Sequence, residues 1–345
     1  MNIEKHFFGK CSTGQDVHLF VLTNANGVTA KVITFGGRIT ELHTPDREGK
    51  SGNIVLGFDN LAQYEHDRVY LGATIGRVAN RITAGFFQID HRPFRLRTNN
   101  GANTLHGGLL GFDKRVWEAD ETQVAGNRTL RLRYFSPDGE EGFHGNLRAT
   151  TLFTLLDDNE LRVEFVASTD SPTAVNMTNH SYFNLKGPSV GTILEHRLMI
   201  NAEQYTPSDQ NLLPTGEISA VAGSPMDFTK SHAISQRFSE MPRGYDHNFV
   251  LKGGTNQMKQ ACRLEEDTTG RVMEIETTQP GLQFYTGNFL DGTVVGIGGA
   301  YQRYSALCLE TQHFPDSVHH PNFPSIVLRA DQEYRQAAVY RFSTL

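Results

Sequence analysis

Apolar and polar side chains alternate along most of this chain. In "ELRVEFVAS", Leu161, Val163, Phe165 and Ala167 fall on one side, with Arg162 and Glu164 on the other. "TLRLRYF" sets Leu130, Leu132 and Tyr134 against Arg131, Arg133 and Phe135, and "RVMEIETT" alternates Met273 and Ile275 with Glu274 and Glu276. A period of two is the pattern of a strand with one wet face. Turn chemistry punctuates these runs at "SPDGEEG" (136–142), "DDNE" (157–160), "LKGPSVG" (185–191), "LKGGTN" (251–256) and "LDGT" (290–293). Helical patterns are few and short, "NLAQYEHD" over 60–67 and "SHAISQRF" over 231–238. The pattern predicts an all-β protein, a large antiparallel β-sandwich with few short helices. No linker composition or internal repeat divides it, so residues 1–345 are predicted to form a single domain.

Composition narrows the partners. Charged residues make up 20% of the chain and the formal charge is −6, with no block of like charges. Nucleic acid asks for a basic stripe, so none is expected as a partner. No window approaches the ~20 apolar residues of a membrane span. "MNIEKHFFGK" carries charges where a signal peptide needs an apolar run. Cys11, Cys262 and Cys308 are odd in number and far apart. That fits neither a disulfide framework nor a C-x-x-C zinc site, and it predicts a reducing, cytoplasmic setting. Surface composition leaves monomer or homodimer open.

Candidate chemistry gathers in six stretches where polar side chains sit among Gly, Asn and aromatic residues. They are "IGRVANRI" (75–82), "NTLHGG" (103–108), "TNHSYFNL" (178–185), "GYDHNFVL" (244–251), "GLQFYTGN" (281–288) and "CLETQHFPD" (308–316). Glu310 follows the apolar run Ala306, Leu307, Cys308, Leu309, which reads as a buried strand. A carboxylate there is costly to desolvate unless it is paired or used. His180 has Asn179, Ser181 and Asn184 to fix its ring and Tyr182 and Phe183 to exclude water. With an unperturbed pKa of about 6.5, it suits proton donation to a weakly basic oxygen near neutral pH. His106 sits beside two glycines that let backbone approach a ligand. Arg81 offers a guanidinium fork, Asp246 an acceptor for vicinal hydroxyls, and Gln283 both a donor and an acceptor. Each also has a structural reading: a turn histidine, an ion-paired arginine, a turn aspartate, a strand-edge cap.

Other chemistries lack their patterns. His319 and His320 are adjacent and have no third ligand at metal spacing, so no metal is expected. "GRVANRI" is not a phosphate loop, "ITFGGRI" does not match G-x-G-x-x-G, and there is no G-x-S-x-G. His43, His144, His232, His313, His319 and His320 are read as structural or surface residues.

Taken together and in order, "GRVANRI", "NTLHGG…GFDKRVW", "NHSYFNL", "TGEI", "GYDHNFVL", "GLQFYTGN" and "CLETQHFPDSVHHPNFP" resemble the aldose 1-epimerase, or galactose mutarotase, family from about residue 30 to the C-terminus. The resemblance implies a large β-sandwich that interconverts the α and β anomers of free aldohexoses such as galactose and glucose, with no cofactor. It implies Glu310 as catalytic base, His180 as catalytic acid, and His106 assisting around the ring oxygen and C1. Asn80, Arg81, Asp246 and Gln283 would hold sugar hydroxyls. Tyr182 matches by position, as a sugar contact or as packing. Anomer exchange opens the hemiacetal by taking a proton from the C1 hydroxyl and giving one to ring oxygen O5, then reverses on the other carbonyl face. A carboxylate and an imidazolium would begin in the right forms near neutral pH.

Three rival functions share parts of this pattern. A glycoside hydrolase would ordinarily need a second carboxylate. A hexose-6-phosphate epimerase would need basic residues at the 6-position, for which Arg77, Arg81, Lys114 and Arg115 are candidates. A sugar-binding module would be indifferent to losing Glu310.

Overall fold

A computed structural model describes residues 1–345. The period-two segments become antiparallel strands, as the alternation requires. Leu161, Val163, Phe165 and Ala167 are buried along Glu160–Thr169, and Leu130 and Leu132 along Asn127–Ser136. Arg271–Thr277 buries Met273 and Ile275 while Glu274 and Glu276 reach outward to Arg263 and Arg341.

These strands belong to a nine-stranded sheet. Its order in space is Glu118–Val124, Asn127–Ser136, Leu147–Leu155, Glu160–Thr169, Tyr334–Thr344, Arg271–Thr277, Lys259–Glu265, Arg197–Ile200 and His232–Ala233. A six-stranded sheet runs Tyr182–Phe183, Leu307–Gln312, Gly281–Tyr285, Asp246–Leu251, Ala202–Thr206 and Ser219–Ala220. The N-terminal region, from Asn2–Lys10 through Ser51–Asn53, forms a five-stranded meander. One apolar cluster of 51 buried residues draws from both large sheets, including Val163 and Phe165 from one and Phe249, Leu282, Phe284, Leu307 and Leu309 from the other. Burying such a face is the main stabilising term of a β-sandwich.

The strand Leu307–Gln312 is buried at every position. Leu307 and Leu309 join the large core, whereas Cys308 faces a second cluster with Tyr182 and Tyr285. Side chains alternate along a strand, so Cys308, Glu310 and Gln312 share the second face. A run buried on both sides explains why the sequence around Glu310 shows little alternation.

One helix follows its pattern and one does not. Leu61–His66 is α-helical, with Asn60 Oδ1 accepting from the Gln63 amide at 3.1 Å. The expected helix over 231–238 is instead a bridge, His232–Ala233, followed by a 3₁₀ segment, Ile234–Glu240, that is broken at Arg237. His232–Ala233 pairs with Arg197–Ile200, and Arg237 Nη1 donates to the Asp227 carbonyl at 2.8 Å. Sheet pairing and this anchor override the helical spacing.

Candidate active site

Glu310, Gln283 and Asn248 lie in register across three neighbouring strands, Glu310 opposite Gln283 and Gln283 opposite Asn248. Gln283 Nε2 donates to Asp246 Oδ1 at 2.6 Å. Glu310 Oε2, Gln283 Oε1 and Asn248 Oδ1 are buried and have no protein partner. Buried polar atoms in native proteins are normally satisfied, so such a row of acceptors marks a surface that awaits donors.

The other groups arrive on short, separate elements. Thr178–His180 pairs with Ala73–Ile75 and brings His180 Nε2 to 3.6 Å from Glu310 Oε1. Arg81–Ile82 pairs with Thr104–Leu105, which sets Asn80 and Arg81 beside His106. The Asn80 amide donates to His106 Nδ1 at 3.3 Å, so the neutral ring carries its proton on Nε2 and presents an N–H donor there. Arg81 Nε donates to Asn100 Oδ1 at 3.1 Å. Asn80 and His106 both adopt left-handed backbone, with φ of 62° and 51°. Gly107 follows at φ 91°, where a Cβ would stand 2.0 Å from the Gly76 carbonyl oxygen, so only glycine fits that turn.

All of the sequence candidates except Gln283 line one cavity of about 1040 Å³. Gln283 stands behind Asp246, in contact with it. Tyr182 stacks on His180, with ring centroids 5.1 Å apart and planes at 25°. His106 meets His180 edge-on at 5.0 Å.

Several participants carried no signal in the sequence. Tyr70 packs against both imidazoles, 4.6 Å from His106 and 5.9 Å from His180. It sits at φ 62°, an uncommon conformation for an aromatic residue. A buried clamp holds it there: Asp67 accepts from the Val69 and Leu71 amides, and Arg38 Nη1 donates to Asp67 Oδ2 at 2.6 Å and to the Leu71 carbonyl at 2.8 Å. Cys308 Sγ lies 3.5 Å from His180 Nδ1, behind the ring. His247, inside the "GYDHNF" stretch, also lines the cavity, and its Nδ1 accepts from the Asp246 amide. Residues of this kind become visible only when distant segments meet.

Electrostatics revises one expectation. Burial pulls His180 down to about 4 and His106 well below its usual value, the latter helped by His180 and Arg81. Burial and then the nearby Asp246 push Glu310 well above the usual carboxyl range, with Arg81 opposing. Burial likewise raises Asp246. The sugar-free site therefore favours a neutral imidazole and a protonated carboxyl, not the imidazolium–carboxylate pair expected from the sequence. Desolvation penalises charge on either group. The two still share one proton, and at 3.6 Å they are just beyond direct hydrogen bonding.

The arginine and lysine cluster considered for a sugar phosphate does not assemble. Arg77 is buried and donates to Ser136, Thr173 and the carbonyls of Ser136, Pro137 and His144. Lys114 caps the carbonyls of Tyr64, Glu65 and Asp67, and Arg115 pairs with Glu140. Arg81 alone of the four lines the cavity. His313 Nδ1 donates to Gln279 Oε1 at 2.7 Å within the interior.

Comparison with known proteins agrees with the geometry. The family model described as aldose 1-epimerase matches residues 18–341. The galactose mutarotase of Homo sapiens is 42% identical over 346 residues, covering 99% of each chain. The aldose 1-epimerase of Escherichia coli K12 is 35% identical, covering 95% of this chain and 96% of its own. Among solved structures, an aldose epimerase homologue from C. elegans superposes with a TM-score of 0.87 at 31% identity, covering 95% of this chain and 99% of its own. Galactose 1-epimerase from Lactobacillus acidophilus gives 0.86 at 26%, covering 99% of each.

Proposed function

The chain belongs to the aldose 1-epimerase family and interconverts the α and β anomers of aldoses, and on that premise we propose that Glu310 and His180 are the pair that moves the protons. The observation that carries this reading is the 3.6 Å approach of His180 Nε2 to Glu310 Oε1, both side chains buried, at the wall of one cavity. O1 and O5 of a pyranose are both bonded to C1, so two proton carriers this close can serve both oxygens of one sugar.

Ring opening then needs the shared proton on His180. Glu310 takes the proton of the C1 hydroxyl, the O1–H electrons form the C1=O1 carbonyl, the C1–O5 bond breaks, and His180 protonates O5. The open chain leaves both side chains neutral, the state that burial favours. Desolvation thus makes Glu310 a stronger base and His180 a stronger acid than either would be in water, which drives the opening step. Rotation about C1–C2 presents the other carbonyl face. O5 attacks it, His180 recovers the O5 proton, and Glu310 returns one to O1.

His106, with Nδ1 held by the Asn80 amide, offers Nε2 near the ring oxygen and C1. Asn80, Arg81, Asp246 and Gln283 are read as hydroxyl ligands, and the unpartnered Oε1 of Gln283 supports that role. Tyr182 is read as the wall that holds the His180 ring by stacking. The substrate class is a free aldohexose, galactose or glucose. The core shared by the two large sheets supports reading residues 1–345 as one domain. Three buried, unpaired cysteines support a reducing, cytoplasmic setting. No helix is long and apolar enough to cross a membrane. Polarimetry of freshly dissolved α-galactose, with the wild type, Glu310→Gln and His180→Asn, tests the assignment. Unchanged mutarotation by either folded variant would overturn it.

A further inference from the structure

Both nitrogens of the His180 ring face the same strand. Residues two apart on one face of a strand stand about 6.5 Å from each other, enough to span an imidazole. Cys308 and Glu310 are such a pair on Leu307–Gln312: Glu310 Oε1 lies 3.6 Å from Nε2, and Cys308 Sγ lies 3.5 Å from Nδ1. Tyr182 pairs directly with Cys308 across the sheet, so the residue that stacks on the ring is fixed by the same strand. The polar neighbours expected from the sequence to fix the ring bond elsewhere. Asn179 Nδ2 donates to the Gly72 carbonyl, Ser181 Oγ to Asn179 Oδ1, and Asn184 Nδ2 to the Ser305 carbonyl. The carbonyl of His180 itself favours the charged ring, but it already accepts from the Gly72 amide at 3.0 Å. Cys308 is thus the one side chain within hydrogen-bond reach of Nδ1.

We propose that Cys308 is a positioning residue for the reaction: its sulfur accepts from Nδ1–H of His180, so that Nε2 is the nitrogen that exchanges a proton with Glu310 and the sugar. In the neutral ring, a proton on Nδ1 leaves the lone pair on Nε2, the form that can take the proton of the Glu310 carboxyl. In the charged ring Nδ1–H still needs an acceptor. Sulfur is a weaker one than the carboxylate or carbonyl oxygen that commonly orients a catalytic histidine. Burial, then Glu310 and Asp246, push the Cys308 thiol well above its usual value, so it stays uncharged and adds no attraction for an imidazolium. Tyr70 and Tyr182 cover the ring faces, His106 meets the ring edge-on, and Arg38 and Asp67 act on it with opposite signs. Glu310 apart, the charged ring is therefore oriented without a counter-charge, and it gives its proton readily to O5.

Nitrogen-15 NMR of the ring nitrogens, with the His180 signals assigned by their loss in His180→Asn, tests the contact without reference to activity. At pH 7 the wild-type ring should carry its proton on Nδ1. Cys308→Ser offers a stronger oxygen acceptor and should raise the protonation midpoint of His180 by about one pH unit, with the acid limb of kcat/KM moving equally. Cys308→Ala leaves Nδ1 without a partner, so the ring should divide between tautomers. There kcat should fall about 10–100-fold with KM unchanged. A purely packing role would leave tautomer and midpoint alone in both variants, and that result overturns the proposal. So does a wild-type ring protonated on Nε2 at pH 7, a measurement that needs no variant of Cys308 to fold. The kinetic arm rests on Glu310 and His180 being the proton pair. If Glu310→Gln keeps full mutarotation, that pairing falls, while the ring tautomer still decides the contact with Cys308.

Discussion

Glu310 and Gln283 stand opposite each other on adjacent antiparallel strands, each with one buried side-chain oxygen that no protein group satisfies. Gln283 spends its amide nitrogen on Asp246, which leaves its buried carbonyl oxygen without a protein partner. Replacing Gln283 by Met keeps the volume and removes both functions. An unsatisfied buried group costs about 1–3 kcal/mol, so KM for galactose should rise by roughly 5–150-fold with a smaller change in kcat. Steady-state polarimetry that shows KM unchanged would remove Gln283 from the binding set.

Loss of a proton carrier should act on the chemical step. Glu310→Gln and His180→Asn are each expected to lower kcat by on the order of 10²–10⁴-fold. The double variant should lose little more than either single one, because the two groups act as a unit. Additive losses would mean that they work in separate steps.

The competent pair holds one proton, and this fixes the pH profile. At low pH the pair gains a second proton when His180 is also charged, at about 4. At high pH it loses its only proton, and the raised Glu310 delays that loss beyond the usual carboxyl range. Activity should therefore follow a bell whose acid limb lies near pH 4, well below an ordinary histidine titration. An acid limb centred near pH 6.5 in kcat/KM would contradict the buried-pair electrostatics.

His196 gives a separate test through stability. It is buried and does not line the cavity, its Nε2 accepts from the Leu185 amide, and burial pulls it from 6.5 to about 3. The unfolded chain protonates this imidazole first, so its stabilising contribution is complete above pH 6.5 and is lost as pH falls toward 3. The wild type's margin over His196→Gln should shrink by up to about 1.4 kcal/mol per pH unit in that window. Urea midpoints at pH 7 and pH 5 with an equal gap would refute it.

The clamp beneath Tyr70 should prove structural and catalytic at once. Asp67→Asn leaves the Arg38 guanidinium buried with a weakened partner. Breaking such a pair costs about 3–5 kcal/mol. Because Asp67 also holds the amides on either side of Tyr70, kcat should fall in the fraction that remains folded. Wild-type urea stability would show that the pair contributes nothing net.

Legibility in the sequence followed how local each determinant is. Leu161, Val163 and Phe165 announce their strand because burial on one face writes a period of two into the chain. Glu310 and His180 were visible because each is a polar residue among residues chosen to exclude water. Tyr70 and Cys308 were not, since their roles come from contacts between segments that sequence order keeps apart. The 231–238 stretch misled because apolar spacing there serves a bridge and a 3₁₀ turn. The downward shift of His180 is not legible for a similar reason: its neighbours in sequence cannot report how completely the fold dries it.

The strand Leu307–Gln312 divides its labour by parity, with Leu307 and Leu309 in the core and Glu310 on the opposite face, lining the sugar cavity. A slip of one residue against Gly281–Tyr285 would exchange the two sets, driving Glu310 into hydrocarbon and Leu309 into the binding surface. No intermediate alignment keeps one set correct while spoiling the other. Regain of mutarotation during refolding should thus track consolidation of the interior without a lag, making enzyme turnover a direct clock for the final assembly of the sandwich.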